Sequence, residues 1–237
     1  MSSLTEIKNK NYEIEAIKMS NDCPIKNTNE PLPQEYNFFM FMLISGRPNS
    51  GKTTFWLNLI TKKKKNTLYK KFDKVFIFTN SLKTITSQIK IPEDQIFQGL
   101  AFLDDVLHRI DNGEDKTLIV IDDCMSEIKY TDDRITKLIS NRRHIGGGCS
   151  IILTTQVFNK IPLSIRKMAS DLIIFQTTNK KEIHSIFEDY SSKSLEDFKE
   201  IIQHCFKIDN HHFLWIKTDT EDYYHNFNKI ICSDLSD

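Results

Sequence analysis

Hydrophobic residues in this chain gather into short unbroken runs. FFMFMLIS (38–45), KVFIFT (74–79), TLIVIDD (117–123), CSIILTT (149–155) and DLIIFQT (171–177) are rich in Ile, Val, Leu and Phe. Runs of this length and make-up predict strands buried on both faces, as in a parallel sheet. Between them, LAFLDDVLHRI (100–110) and TDDRITKLISNRR (131–143) space their apolar residues at the helical period, which predicts crossover helices. Another helix is expected to open at residues 53–59, directly behind the first run. Two more helices, 180–191 and 194–205, lead to the alternating pair HFLWIKT and DYYHNFN, expected as a hairpin at the sheet edge.

Residues 1–37 lack this texture. They are polar and irregular, end in NEPLPQEYN, and predict an arm or docking segment ahead of one domain spanning 38–237. At 237 residues the chain is long enough for one sizeable core. Its 32 basic and 32 acidic residues balance, so no global field points to nucleic acid, although a local basic surface is still allowed. Five scattered cysteines suit reduced thiols. No apolar run approaches the roughly 20 residues of a membrane span, and no signal-peptide core opens the chain, so the expectation is a soluble intracellular protein without a membrane partner.

Candidate chemistry begins where the first run ends. Gly46-Arg47-Pro48-Asn49-Ser50-Gly51-Lys52-Thr53, continued by Thr54, matches G-x-x-x-x-G-K-[ST] in full. The match follows a predicted strand and opens a predicted helix, the context in which this loop wraps phosphates with backbone N–H groups. Lys52 would reach the outer phosphates and the Thr53 hydroxyl would ligate Mg²⁺. TLIVIDD then places Asp122 at a strand tip, where a carboxylate can hold the same Mg²⁺ through water. Asp123 beside it can orient or deprotonate an attacking water, with Glu127 as the fallback carboxylate. Gln156, with Thr154 and Thr155, closes the next run and is either a contact to the γ-phosphate or water, or a polar strand cap. Together these features predict an α/β P-loop NTPase: a RecA-like, mostly parallel central sheet flanked by helices, with a C-terminal β-hairpin.

Arg142 and Arg143 end a helix that runs antiparallel to the strands, so they should emerge at the sheet edge opposite the glycine loop. There they fit either an arginine finger for a neighbouring subunit or a solvated helix terminus. Arg166 is a further candidate in a similar place. KKKK (62–65) with Lys70 and Lys71 is the densest basic cluster, either a contact to DNA phosphates or a solvated face. The glycines at 146–148 predict a turn into the fourth run. His204, Cys205, His211 and His212 match no zinc spacing, so no structural metal is expected.

GRPNSGKTT, LIVIDD, the Arg-Arg-His before a glycine turn, and IILTTQ resemble, in this order, the FtsK–HerA superfamily, and more narrowly the genome-packaging ATPases of poxviruses, giant viruses and virophages. The resemblance covers about residues 38–178. It implies an ATPase using ATP and Mg²⁺, assembled as a homo-oligomeric ring of five or six subunits. It further implies translocation of double-stranded DNA into a preformed capsid, contact with a capsid or portal-vertex protein, and a place in the host-cell cytoplasm and the virion. Asp123 stands where many such ATPases have Glu. A P-loop nucleotide or metabolite kinase, and a slow ATPase acting as an assembly scaffold, are the competing readings.

Overall fold

The computed structural model describes residues 3–7, 39–62, 67–68, 70–127, 133–207 and 211–233. Along them run β1 (Ser3–Ile7), β2 (Phe41–Ser45), α1 (Lys52–Thr61), β3 (Lys74–Thr79), α2 (Leu82–Thr86), β4 (Ile96–Gln98), α3 (Leu103–Asp111) and β5 (Thr117–Asp122). There follow α4 (Arg134–Asn141), β6 (Cys149–Thr155), α5 (Leu163–Arg166), β7 (Asp171–Phe175), α6 (Lys180–Tyr190) and α7 (Leu195–Cys205), then β8 (Phe213–Lys217), β9 (Asp222–His225) and β10 (Asn228–Ser233).

All ten strands join one sheet in the order β1-β10-β9-β8-β7-β2-β6-β5-β3-β4. From β7 to β4 the strands are parallel. From β7 back to β1 every pairing is antiparallel. The unbroken hydrophobic runs follow from this layering, because both faces of the parallel part are covered. Phe41, Leu43, Ile119, Ile121, Ile151, Leu153, Leu172 and Ile174 face a core shared with α3–α7. Met42, Ile44, Leu118, Val120, Ile152 and Ile173 face a second core shared with α1 and α2. A strand so placed has no solvent face on which to carry a polar alternation.

The expected strands and crossover helices form with their bounds shifted by up to three residues, and the glycines at 146–148 make the expected turn. Gly148 adopts φ +99°, and a Cβ there would lie 2.0 Å from the Phe39 ring. Besides the short helix α2, which was not foreseen, three parts differ from expectation. The C-terminal hairpin is a three-stranded meander, because β10 pairs with β9 through Asn228↔His225 and Lys229↔Tyr224. Within the segment expected as an irregular arm, Ser3–Ile7 forms a strand along the outer side of β10, with Ser3 opposite Ser233 and Ile7 opposite Lys229. β4 was not foreseen at all. It is three residues long and gains its identity only by pairing with β3, and so short a run carries no periodicity to read.

Parallel alignment brings the carboxyl ends of β2, β6, β5 and β3 to one edge, and the connections that leave that edge carry the candidate chemistry.

Candidate active site

The first of these connections is the glycine loop between β2 and α1. Asn49 (φ 62°) and Gly51 (φ 101°) take left-handed backbone conformations, which curl successive N–H groups toward a common concavity at the start of α1. Glycine is required at Gly46 for a different reason. A Cβ there would lie 2.6 Å from Ser50 Oγ and 2.7 Å from Phe175 Cβ. The loop is tied to the sheet by the Gly46 N–H donating to Thr155 O at 3.1 Å. Lys52 is buried and folds over the loop, donating to Gly46 O at 2.7 Å and Arg47 O at 2.9 Å. Burial pushes its pKa down, against the pull of Asp123 and Asp122. Ser50 Oγ is buried with no hydrogen-bond partner among the described residues. The hydroxyl is packed on the sheet side of the loop, beside Gly46 and Phe175, and the phosphate-facing donors of such a loop are its backbone N–H groups. Thr54 is buried at the base of the loop, whereas Arg47, Pro48 and Asn49 are exposed along its rim. Arg47 donates to Thr178 Oγ1 in the connection between β7 and α6.

Asp122 ends β5 facing this loop and is 3% exposed. Its Oδ1 accepts from Trp56 Nε1 at 3.0 Å and from Thr154 Oγ1 at 2.9 Å. Its Oδ2 lies 3.2 Å from Thr53 Oγ1. Burial raises the carboxyl's pKa, and the three donors, Thr154 first, oppose that rise. A hydroxyl and a carboxylate oxygen at this separation are the hard donors that suit Mg²⁺, which takes few protein ligands and keeps its waters.

Asp123 is held differently, with a left-handed backbone at φ 58°, a conformation uncommon outside glycine, asparagine and aspartate. Three neighbours hold it. Its N–H donates to Thr154 Oγ1 at 2.9 Å, Asn80 Nδ2 donates to its carbonyl at 3.3 Å, and Gln156 Nε2 donates to its Oδ2. Thr154 therefore serves both acidic residues, and Gln156 sits against the second. Lys52, Thr53, Asp122, Asp123 and Gln156, read separately from the sequence, share one edge.

Glu127 does not join them. Its Oε2 accepts from the Leu100 N–H at 2.9 Å and its carboxylate packs on Gly99, so it braces the turn between β4 and α3. Arg142 lies at the opposite edge, as expected, but its guanidinium is committed there. Nε donates to Phe39 O at 2.6 Å and the terminal nitrogen to Ile139 O at 2.7 Å. Burial and Arg143 depress its pKa. Arg166 is also committed: it pairs with Asp189 at 3.0 Å, lies 4.7 Å over the Phe158 ring, and donates to Asn159 Oδ1 at 3.2 Å. Arg143 is exposed.

Of the basic cluster, Lys62, Lys70 and Lys71 are described and residues 63–65 lie outside the described residues. His212 and His225 approach to 2.6 Å, with Asn226 3.0 Å from His212 and the His204 ring edge-on to His225. Among the described residues no group of three or more His, Cys, Asp or Glu side chains is disposed to hold a metal. No described helix is long and apolar enough to cross a membrane.

No protein-family model matches the chain, and no curated protein matches it. Solved structures do. The genome packaging NTPase B204 of Sulfolobus turreted icosahedral virus 2, in complex with sulfate, superposes with TM-score 0.56 at 19% identity, covering 81% of this chain and 97% of B204. The fold is that of a P-loop NTPase. The DNA-packaging ATPase B204 of Sulfolobus turreted icosahedral virus gives TM-score 0.57 at 17% identity, over 81% of this chain and 98% of that one. The B204 complex with ATPγS gives 0.54 at 18% identity, over 79% and 96%. EccC of Thermomonospora curvata (ATPases 2 and 3) gives 0.54 at 12% identity over 81% of this chain, which spans about a third of that protein (36%).

Two groups at the site escaped the sequence reading, Trp56 and Asn80. Trp56 had a signal: it lies three residues after Thr53 on the same helix, which sets the two side chains on one face. Asn80 follows a strand like many turn residues, and nothing in its neighbourhood distinguishes it.

Proposed function

We propose that this chain is an ATPase of the FtsK–HerA packaging kind, which works as a homo-oligomeric ring and drives double-stranded viral DNA into a preformed capsid. The observation that supports it best is the edge shared by the phosphate loop with its folded-over Lys52, Asp122 and Thr53, and the Asp123–Gln156 pair, on a fold shared with a genome packaging NTPase and a DNA-packaging ATPase.

In this reading the loop N–H groups bind the phosphates of ATP, and Lys52 exchanges its two loop carbonyls for phosphate oxygens. Thr53 and Asp122 hold Mg²⁺, which when bound neutralises charge building on the phosphates. Asp123 takes the proton of the attacking water, and Gln156, bonded to that carboxylate, senses whether the γ-phosphate is present. Arg143, exposed at the far edge, acts in the site of the next subunit. Duplex DNA, a capsid or portal-vertex protein, and a location at the assembly site in the host cytoplasm and in the virion belong to the same reading.

Steady-state ATP hydrolysis across a protein titration, with and without long duplex DNA, tests it, with Lys52→Ala as the blank. The expected rate per subunit climbs cooperatively with protein and rises again with DNA. A rate indifferent to DNA at concentrations where the protein is oligomeric contradicts the motor and points to a kinase or a scaffold.

A further inference from the structure

Asp122 does not hold its own orientation. Its two oxygens are used unequally: Oδ1 accepts from Trp56 Nε1 (3.0 Å) and Thr154 Oγ1 (2.9 Å), and Thr53 Oγ1 lies nearer to Oδ2 (3.2 Å) than to Oδ1 (3.5 Å). Two donors use up the lone pairs of Oδ1, so the remaining acceptor capacity lies on Oδ2, on the side of Thr53. Thr154 is short, stands at the end of a strand and also accepts from the Asp123 N–H at 2.9 Å. Trp56 is fully buried in the core beneath α1, 0% exposed, and its ring is fixed by packing. A buried indole needs a partner for its N–H, and this one has an ionisable carboxylate rather than a backbone carbonyl. Helix α1 thus carries the phosphate-binding Lys52, the hydroxyl of Thr53 and, one turn on, the group that aims the facing carboxylate.

We propose that Trp56 is a positioning residue for metal binding: its indole N–H pins Oδ1 of Asp122 so that Oδ2 stays turned toward Thr53. This rests on the reading of Thr53 and Asp122 as the Mg²⁺ ligands. Because Trp56 moves with α1, any shift of that helix on nucleotide binding re-aims Asp122 at the same moment.

The test is the affinity of the full-length protein for a fluorescent ATP analogue, measured in EDTA and across a Mg²⁺ titration, for wild type and Trp56→Phe. Phenylalanine keeps most of the buried ring and removes the donor. The expected variant binds nucleotide in EDTA within about twofold of wild type, but the Mg²⁺ concentration that half-restores tight binding rises about tenfold, as for a lost hydrogen bond to a charged group. A purely structural Trp56 lowers Tm and leaves the Mg²⁺ midpoint where it was, and that result overturns the inference. If Trp56→Phe does not fold, wild type labelled with 5-fluorotryptophan decides. The chain has two tryptophans, Trp56 and Trp215. Adding Mg²⁺ to the nucleotide complex should shift the Trp56 fluorine resonance, identified as the one that survives in Trp215→Phe. A resonance that stays put overturns the inference. A wild type whose nucleotide affinity ignores Mg²⁺ removes the proposed function itself, and with it the role of Trp56.

Discussion

Asp122→Asn should abolish ATP hydrolysis, by about 100-fold or more, and at the same time make the nucleotide-free protein more heat-stable. The loss follows from the metal role, since an amide oxygen cannot replace a carboxylate that neutralises charge on the phosphates. The gain follows from burial. Asp122 is 3% exposed, and burial holds its pKa above the usual carboxylate value. A carboxyl with a higher pKa folded than unfolded favours the fold while protonated, and that contribution is lost as pH rises through the folded value. At neutral pH the ionised group is therefore a cost to the fold. Asparagine fits the same contacts: its oxygen accepts from Trp56 and Thr154, and its amide faces the Thr53 hydroxyl. Relief of about 1 kcal/mol corresponds to a rise in Tm of about 2–4 °C at this chain length. The difference should shrink as pH falls and Asp122 takes up its proton. Calorimetry at pH 7 and pH 4 checks this, and a variant less stable than wild type at pH 7 would show that the carboxylate is needed by the fold.

Arg143→Ala should leave ATP affinity within about twofold and lower turnover by roughly a thousandfold, the range seen when a trans arginine is removed. Arg142 and Arg166 do not offer the same reach, because their guanidinium groups are bonded within their own subunit. Arg166→Ala should instead lower Tm, since it strands Asp189 in a largely buried pair, at 12% and 10% side-chain exposure. Mixing separates a trans role from an indirect one. Arg143→Ala subunits keep an intact phosphate site, and Lys52→Ala subunits keep Arg143. Each is inactive alone, and a mixture should recover hydrolysis. Mixtures as dead as their parts would exclude Arg143 from a neighbour's site.

Legibility from sequence followed the range over which each interaction is encoded. The phosphate loop was readable because its chemistry lies within nine consecutive residues, and its context, an apolar run before and a helix after, is also local. Asp122 was readable because a buried strand can end in a carboxylate only where something uses it or a turn demands it. What could not be read were pairings between distant segments. Ser3–Ile7 is a strand because of Asn228–Ser233, more than 200 residues away, and β4 exists because of Lys74–Thr79. Arg166 looked free because its partners come from two other segments, Phe158 and Asn159 from the turn after β6 and Asp189 from α6. Glu127 looked catalytic by proximity to Asp123, yet its carboxylate turns away to the Leu100 N–H. Periodicity reports which face is buried, and it is silent about which polar partner waits there.

Movement along duplex DNA is the claim on which the whole account depends. A triplex-displacement assay measures it directly: a third strand is laid at increasing distances from a duplex end, and its release is timed after ATP is added. Release that needs ATP hydrolysis, with a lag growing in proportion to distance and absent for Lys52→Ala, is the predicted result. Brisk hydrolysis with the third strand left in place at every distance would contradict a translocase and leave an ATPase that does other work.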